Sequence, residues 1–491
     1  MKKVKIFVGV AVLVAALVVA VVPADAHSLA VAVDLKAVKV SNFNFGSVFN
    51  LVVTGANSGL NHTFKGDSGT GNATADASVS TDLNSNSTEV MVWEMGQGPL
   101  AMNRNKGIAV AVDATLVKVD NFNLGSVNNM VFTGANSGGN VTDGIAADFL
   151  SSHRRPHRGS IDPIESNTGN AVAEADVSTK LNANSTTVAI CDFENGPVAV
   201  NWQERCRRDC RKGKCQCDPI AVAVDLTAVE VCNFNAGMVL NVVGTGANTG
   251  WNNTSGGNSH TGNARADASV DTTLNTNETA VMVSESGSGA LAMNKSKCGG
   301  LAVAVEADLV KVGNVNLGYV ANYVITGANS GLNHTSKGDS HTGNAVALAS
   351  VKNSVNSNTT FVGIIGSDGA AAVNGGSTCV DVPCVGCVDV CHSDGVVAIN
   401  DGKGVAVAAD VDAVSVSNTN VASVDNVVVT AANTGGNETG SSNPTCGSNC
   451  GGCPSPDSGG DSSTGNASAS STVNNTVNSN STTVVIGGGA I

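Results

Sequence analysis

The chain has 491 residues and a formal net charge of −14, and its residues are 42% hydrophobic but only 3% aromatic. A negative charge of this size argues against nucleic acid and against anionic membrane surfaces as partners. With so few aromatic side chains, a core must consist of small β-branched residues and alanine, which predicts thin packed layers rather than a thick globular interior.

The first 26 residues have the features of a secretory signal peptide. Lysines near the start precede an apolar run over residues 6–22, and a proline and the small-x-small sequence Ala-Asp-Ala follow it. The run is just short of the roughly 20 residues of a membrane-spanning helix, and the small residues suit signal peptidase. We therefore predict cleavage between Ala26 and His27, a secreted or cell-surface location, and no transmembrane segment in the mature chain.

Five copies of one unit follow. Each opens with an alternating apolar run and then contains, in fixed order, Thr-Gly-Ala-Asn (relaxed to Thr-Ala-Ala-Asn in the fifth), Thr-Gly-Asn-Ala and Leu/Val-Asn-x-Asn-x-Thr. Shared landmarks in one order indicate an internal repeat. The predicted repeats span residues 27–107, 108–219, 220–300, 301–404 and 405–491.

The residue pattern within each copy has a period of two. In the run from Ala73 to Val79, for example, apolar residues alternate with polar ones, as in a half-buried strand. Glycine and asparagine cluster between such runs and favour turns. The mature chain is thus predicted to be all-β. A β-solenoid is favoured, because asparagines at period two suit stacked amide ladders, with each half-copy forming one or two coils; five tandem β-sandwiches are the alternative.

Insertions interrupt the second, fourth and fifth copies. They cover residues 145–163, 203–219, 379–400 and 443–461, and their Pro, Gly and charge content predicts loops that leave the repeat surface. Two of them contain basic islands, at 153–158 and 205–212. These islands are either solvated loop surface or contacts for an anionic polymer or an acidic neighbouring copy.

Most of the fourteen cysteines lie in these insertions. In an exported chain, cysteines in loops without a core of their own predict disulfides. Zinc is the alternative, because Cys384-x-x-Cys387 and Cys450-x-x-Cys453 have the spacing of a thiolate pair. The candidate disulfide cysteines are Cys206, Cys210, Cys215, Cys217, Cys379, Cys384, Cys387, Cys391, Cys446, Cys450 and Cys453.

No catalytic motif emerges from the sequence, and we predict neither a catalytic site nor a resident metal or cofactor. The acids Asp34, Asp113 and Asp225 recur with the repeat, but the repeat lacks the glycine-rich spacing of calcium-binding β-rolls. A polysaccharide-acting β-helix enzyme is one alternative function. Ice or crystal-surface binding is another, if rows such as Asn84 to Thr88 face outward rather than form internal ladders.

With Thr-Gly-Asn-Ala, alternating alanine and then Asn-x-Asn, nearly the whole mature chain resembles the long repetitive exported surface proteins of prokaryotes. That resemblance implies an adhesin, surface-layer component or matrix subunit without enzymatic activity. The expected function is that of a secreted structural or adhesive protein, with self-association or a surface polysaccharide as possible partners.

Overall fold

The structure is a computed structural model. It describes residues 28–64, 66–104, 107–143, 164–193, 196–203, 219–285, 289–296, 300–336, 338–366, 369–375, 396–401, 404–440 and 460–487. The predicted signal peptide with its cleavage site at Ala26 and His27, the eleven candidate disulfide cysteines and both basic islands lie outside these residues.

The described chain is all-β and forms a β-solenoid of five stacked coils. Its strands make five sheets, each of five parallel strands, and none of the described segments is a helix that could span a bilayer. The two long sheets form the walls of the coil. The first wall contains β1 (Leu29–Asn57), β6 (Ile108–Asn136), β11 (Ile220–Asn248), β16 (Leu301–Asn329) and β22 (Val405–Asn433); the second contains β4 (Ala73–Glu94), β9 (Ala171–Asp192), β14 (Ala264–Glu285), β19 (Ala345–Ile365) and β25 (Ala467–Gly487).

Three short sheets close the coil. Two of them form the corner between the end of the first wall and the start of the second, and the third leads back to the next first-wall strand. The corner strands are β2 (His62–Phe64), β7 (Val141–Asp143), β12 (Asn253–Ser255), β17 (His334–Ser336) and β23 (Glu438–Gly440), followed by β3 (Ser68–Gly69), β8 (Ile164–Asn167), β13 (Gly257–His260), β18 (Ser340–His341) and β24 (Ser462–Ser463). The return sheet contains β5 (Leu100–Asn103), β10 (Val198–Gln203), β15 (Leu291–Ser296), β20 (Ala371–Gly375) and β21 (Val397–Asp401).

Each repeat closes one coil. Like residues pair from coil to coil over all 29 residues of the first wall, so that Asn42 lies beside Asn121 and Asn121 beside Asn233. The interpretation of the two half-copies as separate stacked coils is therefore wrong. The halves resemble each other because they are facing walls of one coil and line the same interior.

The first-wall strands are long because their alternation is never interrupted. In β1 the even-numbered side chains point inward and the odd-numbered ones outward from Leu29 to Asn57. Over 29 residues at about 3.3 Å each, such a strand measures about 95 Å along its contour, whereas five coils about 4.8 Å apart stack to only about 19 Å. The solenoid is accordingly much longer along its strands than along its stacking axis.

The second wall changes phase at the Leu-Asn-x-Asn-x-Thr landmark. Up to Leu83 the odd-numbered side chains point inward, and beyond Asn84 the even-numbered ones do. Asn84 has a φ of 59°, and its equivalents in the other coils have φ between 56° and 59°. Asparagine tolerates this left-handed conformation better than most residues, which explains its recurrence at this position: Asn182, Asn275, Asn356 and Asn478.

The interior is a succession of layers, each about one residue from each wall. Alanines fill the layers near both ends of the walls, and valines with isoleucine or leucine fill layers between them. The prediction of thin layers built from small β-branched residues and alanine agrees with this arrangement. Between the apolar layers lie polar ones: an acidic layer, an amide layer, and a further asparagine row that begins at Asn50, whose side chain donates to Thr81 of the second wall.

One return strand lies within a segment that the sequence pattern assigned to an insertion. Val397–Asp401 forms β21, which pairs with β20 and occupies the fifth coil's place in the return sheet. The expectation of a loop up to Asn400 is wrong at its C-terminal end. Each return strand carries an x-Ala-x-Asn sequence, a further recurring landmark, and its asparagine binds the turn into the first wall, as when Asn374 donates to the carbonyl oxygen of Val405 at 3.2 Å.

Candidate functional site

The amide layer accounts for the Asn-x-Asn motifs. Asn44 of the first wall donates from Nδ2 to Oδ1 of Asn123 (3.0 Å) in the next coil, and Asn123 donates in the same way to Asn235 (2.8 Å). Across the walls, Asn123 donates to Asn184 (2.6 Å) and Asn184 to Asn235 (2.7 Å). The result is a continuous network of side-chain amides along the stacking axis.

The same layer decides how the polar row proposed for ice binding is oriented. Asn86 and Thr88 point inward, where Asn86 receives a hydrogen bond from Asn44 and Thr88 receives one from Asn42 at 2.8 Å. The outward positions on either side of Asn86 carry Ser, Ala or Thr in one row and Ser, Glu or Thr in the other, which is no regular threonine array: Ser85, Ala183, Thr276, Ser357, Ser479; Ser87, Ser185, Glu278, Thr359, Ser481. The rows of Asn86 and Thr88 are therefore internal ladders.

The acidic layer lies nearer the start of the first wall. The recurring acids form one inward row along the coils, and a shorter acidic row of the second wall faces it. The first row is Asp34, Asp113, Asp225, Glu306 and Asp410; the facing row is Glu94, Asp192 and Glu285.

Burial dominates the ionisation of this layer. Desolvation raises the pKa of Asp113 to about 7, against a smaller lowering by Lys36, and Asp113 is only 3% exposed. Desolvation also raises the pKa values of Glu285 and Asp308, whose carboxyl groups are hydrogen-bonded to each other. Because two ionised carboxylates cannot share a hydrogen bond, this pair holds a proton. Lys36 balances part of the charge with an ion pair to Glu94 at 2.9 Å.

The acidic layer is enclosed between the walls rather than placed in a cleft. Asp34, Asp113 and Asp225 share one row, as the repeat suggested, but no group of three or more acids, histidines or cysteines among the described residues has a metal-binding arrangement. The layer is part of the coil interior.

A groove runs across all five coils at the end of the first wall. It has a volume of about 990 Å³, and its described lining contains no charged residue. Its floor is the outward-facing glycine of Thr-Gly-Ala-Asn, and the asparagine of that motif and the apolar residues Leu60, Trp251 and Leu332 also line it. The floor consists of Gly55, Gly134, Gly246, Gly327 and Ala431; the asparagines are Asn57, Asn136, Asn248, Asn329 and Asn433.

The glycines of the floor are not required by packing. A Cβ atom placed on Gly134, Gly246 or Gly327 would meet no other atom within 4 Å, and none of the three has a positive φ. Glycine inside a strand weakens it, and it often marks a place where another molecule approaches the backbone closely. Glycine at this outward position keeps the groove open.

The apolar side of the groove is conformationally strained. Leu60, Trp251 and Leu332 have φ values of 65°, 66° and 65°, a left-handed conformation that is a genuine outlier for bulky residues and costs about 1–2 kcal/mol per residue. Their side chains are exposed, Trp251 to 66%. Strain of this kind, with a large apolar side chain held in solvent, is typical of binding sites.

The outer face of the first wall is also apolar. Phe43, Phe122 and Phe234 stack with ring centroids 4.9 and 4.8 Å apart. Phe45 and Val53, both 71% exposed, continue this face, and a second groove of about 550 Å³ crosses the coils beside Phe45. Large exposed apolar patches often mark contact surfaces.

Two cysteines lie within the described residues, and neither forms a disulfide. Cys191 and Cys232 both point outward, but on opposite walls, so they cannot pair with each other within the chain. His62 and His334 occupy one repeat position in exposed corner strands, where His62 lies 3.3 Å from Asp143 and His334 lies 3.3 Å from Glu438. These histidines join neighbouring coils.

Sequence reasoning missed the groove because it treated Thr-Gly-Ala-Asn only as a landmark of the repeat and gave it no place on a strand. In the structure the motif ends the long strand, and the turn begins at Ser58. The available signal was the recurrence of the glycine together with a variable Leu, Gly or Trp five residues later. Comparison with family models, curated proteins and solved structures finds no match to this chain.

Proposed function

We propose that the chain is a secreted, non-catalytic structural or adhesive protein of the cell surface or extracellular matrix, and that the groove is its contact with a surface polysaccharide. The observation that carries the proposal is the open glycine floor, since glycines that neither packing nor backbone conformation requires keep a groove clear. The signal-peptide features and the acidic composition of the chain agree with a role outside the cell.

The chemistry of the groove suits a neutral, extended glycan. An exposed indole offers an apolar face for a sugar ring, and the row of side-chain amides in the same lining offers hydrogen-bond partners for hydroxyl groups. The described lining residues carry no charge, which favours a neutral polymer over an anionic one. Five coils give the groove a length of about 19 Å, enough for several sugar units.

The test uses Gly246→Val in the secreted mature chain, with retention on cellulose and chitin particles as the measurement. A valine at this open strand position should leave the unfolding temperature unchanged or raise it, while filling the groove and reducing retention at least about tenfold, roughly 1.4 kcal/mol. Trp251→Ala should also reduce retention.

Gly313→Val is the matched control. Gly313 is another outward strand glycine, where an added Cβ atom would lie 4.0 Å from its nearest neighbour, the carbonyl oxygen of Val231, and it lies outside the groove. Its retention should equal that of the wild type. Equal retention of the Gly246→Val and wild-type proteins, or no retention of the wild type on either polymer, would contradict the groove as a polysaccharide contact.

A further inference from the structure

The two ends of the solenoid are complementary to each other. The inner amide rows have one direction, because each asparagine donates its Nδ2 to Oδ1 of its neighbour in the next coil, from Asn42 through to Asn418. The first coil therefore leaves Oδ1 of Asn42 without a donor from a preceding coil. At the fifth coil, Asn418 donates one Nδ2 hydrogen to Thr482 at 3.1 Å, and its second Nδ2 hydrogen points toward the position of a following coil.

The same polarity holds in other rows. The rows that begin at Asn50 and Asn86 run in the same direction. The groove row runs the opposite way, since Asn136 donates to Asn57 at 2.8 Å, and it too presents acceptors at one end and donors at the other. Each end thus presents the groups that the other end lacks.

Among the described residues, no strand covers either end of the stack, so both end coils present open strands along their whole length. β22 and β25 offer 29 and 21 residues of sheet edge on the fifth coil, and the inward side chains of β1 are half-buried where those of β6 are buried. Long uncovered strand edges bind further strands through unpaired backbone groups.

We propose that a second copy of this chain stacks its first coil on the fifth coil of the preceding copy, in register and with all strands parallel. Every apolar layer then continues, for example from Val414 and Val416 to Val38 and Val40. Because this contact is heterologous, it repeats into a filament.

The charges at such a junction partly complement each other. In register, Asp412 faces Lys36, and Glu438 faces His62, as it faces His334 within the chain. Two pairs are like-charged: Asp410 and Asp34 extend the acidic row that the interior already contains, and Asp461 and Asp67 extend the exposed corner row of Glu165 and Asp339.

The assembly deepens the proposed structural role without depending on the groove. A monomer could still bind a polysaccharide, and a filament could form with the groove blocked, so failure of one proposal leaves the other standing. In a filament the grooves of successive copies would join along the stacking axis.

The test is a cysteine pair at the junction. Ser41 and Ser417 share one outward row, so Ser41→Cys with Ser417→Cys would place the two Cα atoms about 4.8 Å apart across the contact, within the range of about 4.4–6.8 Å for a disulfide. Mild oxidation of the double variant should give a ladder of covalent oligomers on a non-reducing gel. Mass spectrometry should identify the 41–417 linkage.

The control pair is Ser47→Cys with Ser417→Cys, in which two outward residues lie about 20 Å out of register. It should give no 47–417 linkage, and Ser417→Cys alone should give no 417–417 linkage. A 417–417 linkage would show tail-to-tail contact and overturn the proposal. So would sedimentation of the wild-type protein as a monomer at the highest soluble concentration together with absence of the 41–417 linkage.

Discussion

The amide layer and the acidic layer lie in the same coil, both buried, and they satisfy their polar groups in opposite ways. A primary amide carries both donors and acceptors, so a row of asparagines completes its own hydrogen bonds at any length. A carboxylate only accepts, so a row of like acids needs protons or a lysine. Asn235 makes hydrogen bonds to four other asparagines, whereas Oδ1 of Asp113 is buried without one.

The comparison teaches which polar side chain can be repeated without limit inside a stack. Amide rows add a complete set of hydrogen bonds with every coil, and the network becomes more regular as it grows. Acidic rows add repulsion and desolvation with every coil, so they make the stability of the fold depend on pH.

The largest effect is expected when an acid replaces an amide in the centre of the amide layer. Asn235→Asp removes two donors and introduces a buried group that cannot complete its neighbours' bonds, at a cost of about 3–5 kcal/mol in the free energy of unfolding. Chemical denaturation of the dilute mature chain measures it. Asn420→Asp, in the same row but in the half-buried end coil, should cost less than about 1 kcal/mol; equal costs would contradict the role of the enclosed network.

The second prediction concerns the pH dependence of the acidic layer. The pKa of Asp113 is raised from 3.8 to about 7, so the native state binds more protons than the unfolded state between these values. The free energy of unfolding should therefore be highest near pH 4 and fall as pH rises to 7, by up to about 4 kcal/mol for this group. Lys36, Glu94, Asp34 and Asp192 set its local charge.

Asp113→Asn tests that dependence. An amide at this position should flatten the fall between pH 4 and 7 and make the protein more stable at pH 7, as followed by denaturation at a series of pH values. Glu230, whose pKa is lowered by Lys118 despite burial, has the opposite effect on stability: its contribution to the free energy of unfolding is lost as the pH falls below about 4.5. Asp271→Asn, at an outward position of the second wall, is the control, and an identical flattening there would refute the assignment.

The smallest expected effect is a difference in stability between two variants of Asn275. It separates the two roles of the asparagines with positive φ, namely the left-handed backbone conformation and the side-chain hydrogen bonds. Asn275→Gly keeps the left-handed conformation (φ 56° in the structure) but loses the amide bonds to Asn182 and Asn356. Asn275→Ala loses these amide bonds and also strains the left-handed conformation, so it should be less stable than the glycine variant by about 1–2 kcal/mol. Thermal and chemical unfolding of the two variants measures the difference; equal stabilities would mean that the backbone conformation contributes nothing.

Much of the fold followed from the sequence. Alternation at period two predicted strands, and the asparagines at the same period predicted stacked ladders, as Asn42 and Asn44 now show. The number of coils per repeat did not follow. Facing walls and stacked coils both require like residues to meet, so a period of two cannot distinguish Asn44 beside Asn86 from Asn44 beside another first-wall asparagine.

The shorter elements and the groove were beyond that reasoning for different reasons. Return strands such as β21, of about five residues, are too short for alternation to be recognised. Gly246 carried no signal of its own, because glycine and asparagine between strands generally favour turns, and only the empty space above it in the structure shows what it does. The sequence therefore predicted the scaffold and not the candidate site.

One coil per repeat also has an evolutionary consequence. Because each copy begins and ends at the same point of the coil, duplication or loss of one whole copy alters the height of the stack by a single strand spacing, about 4.8 Å. Every row stays in register, and no new kind of interface has to arise. Selection on copy number can thus adjust the length of the groove and of the amide network in equal steps, independently of the sequence within each copy.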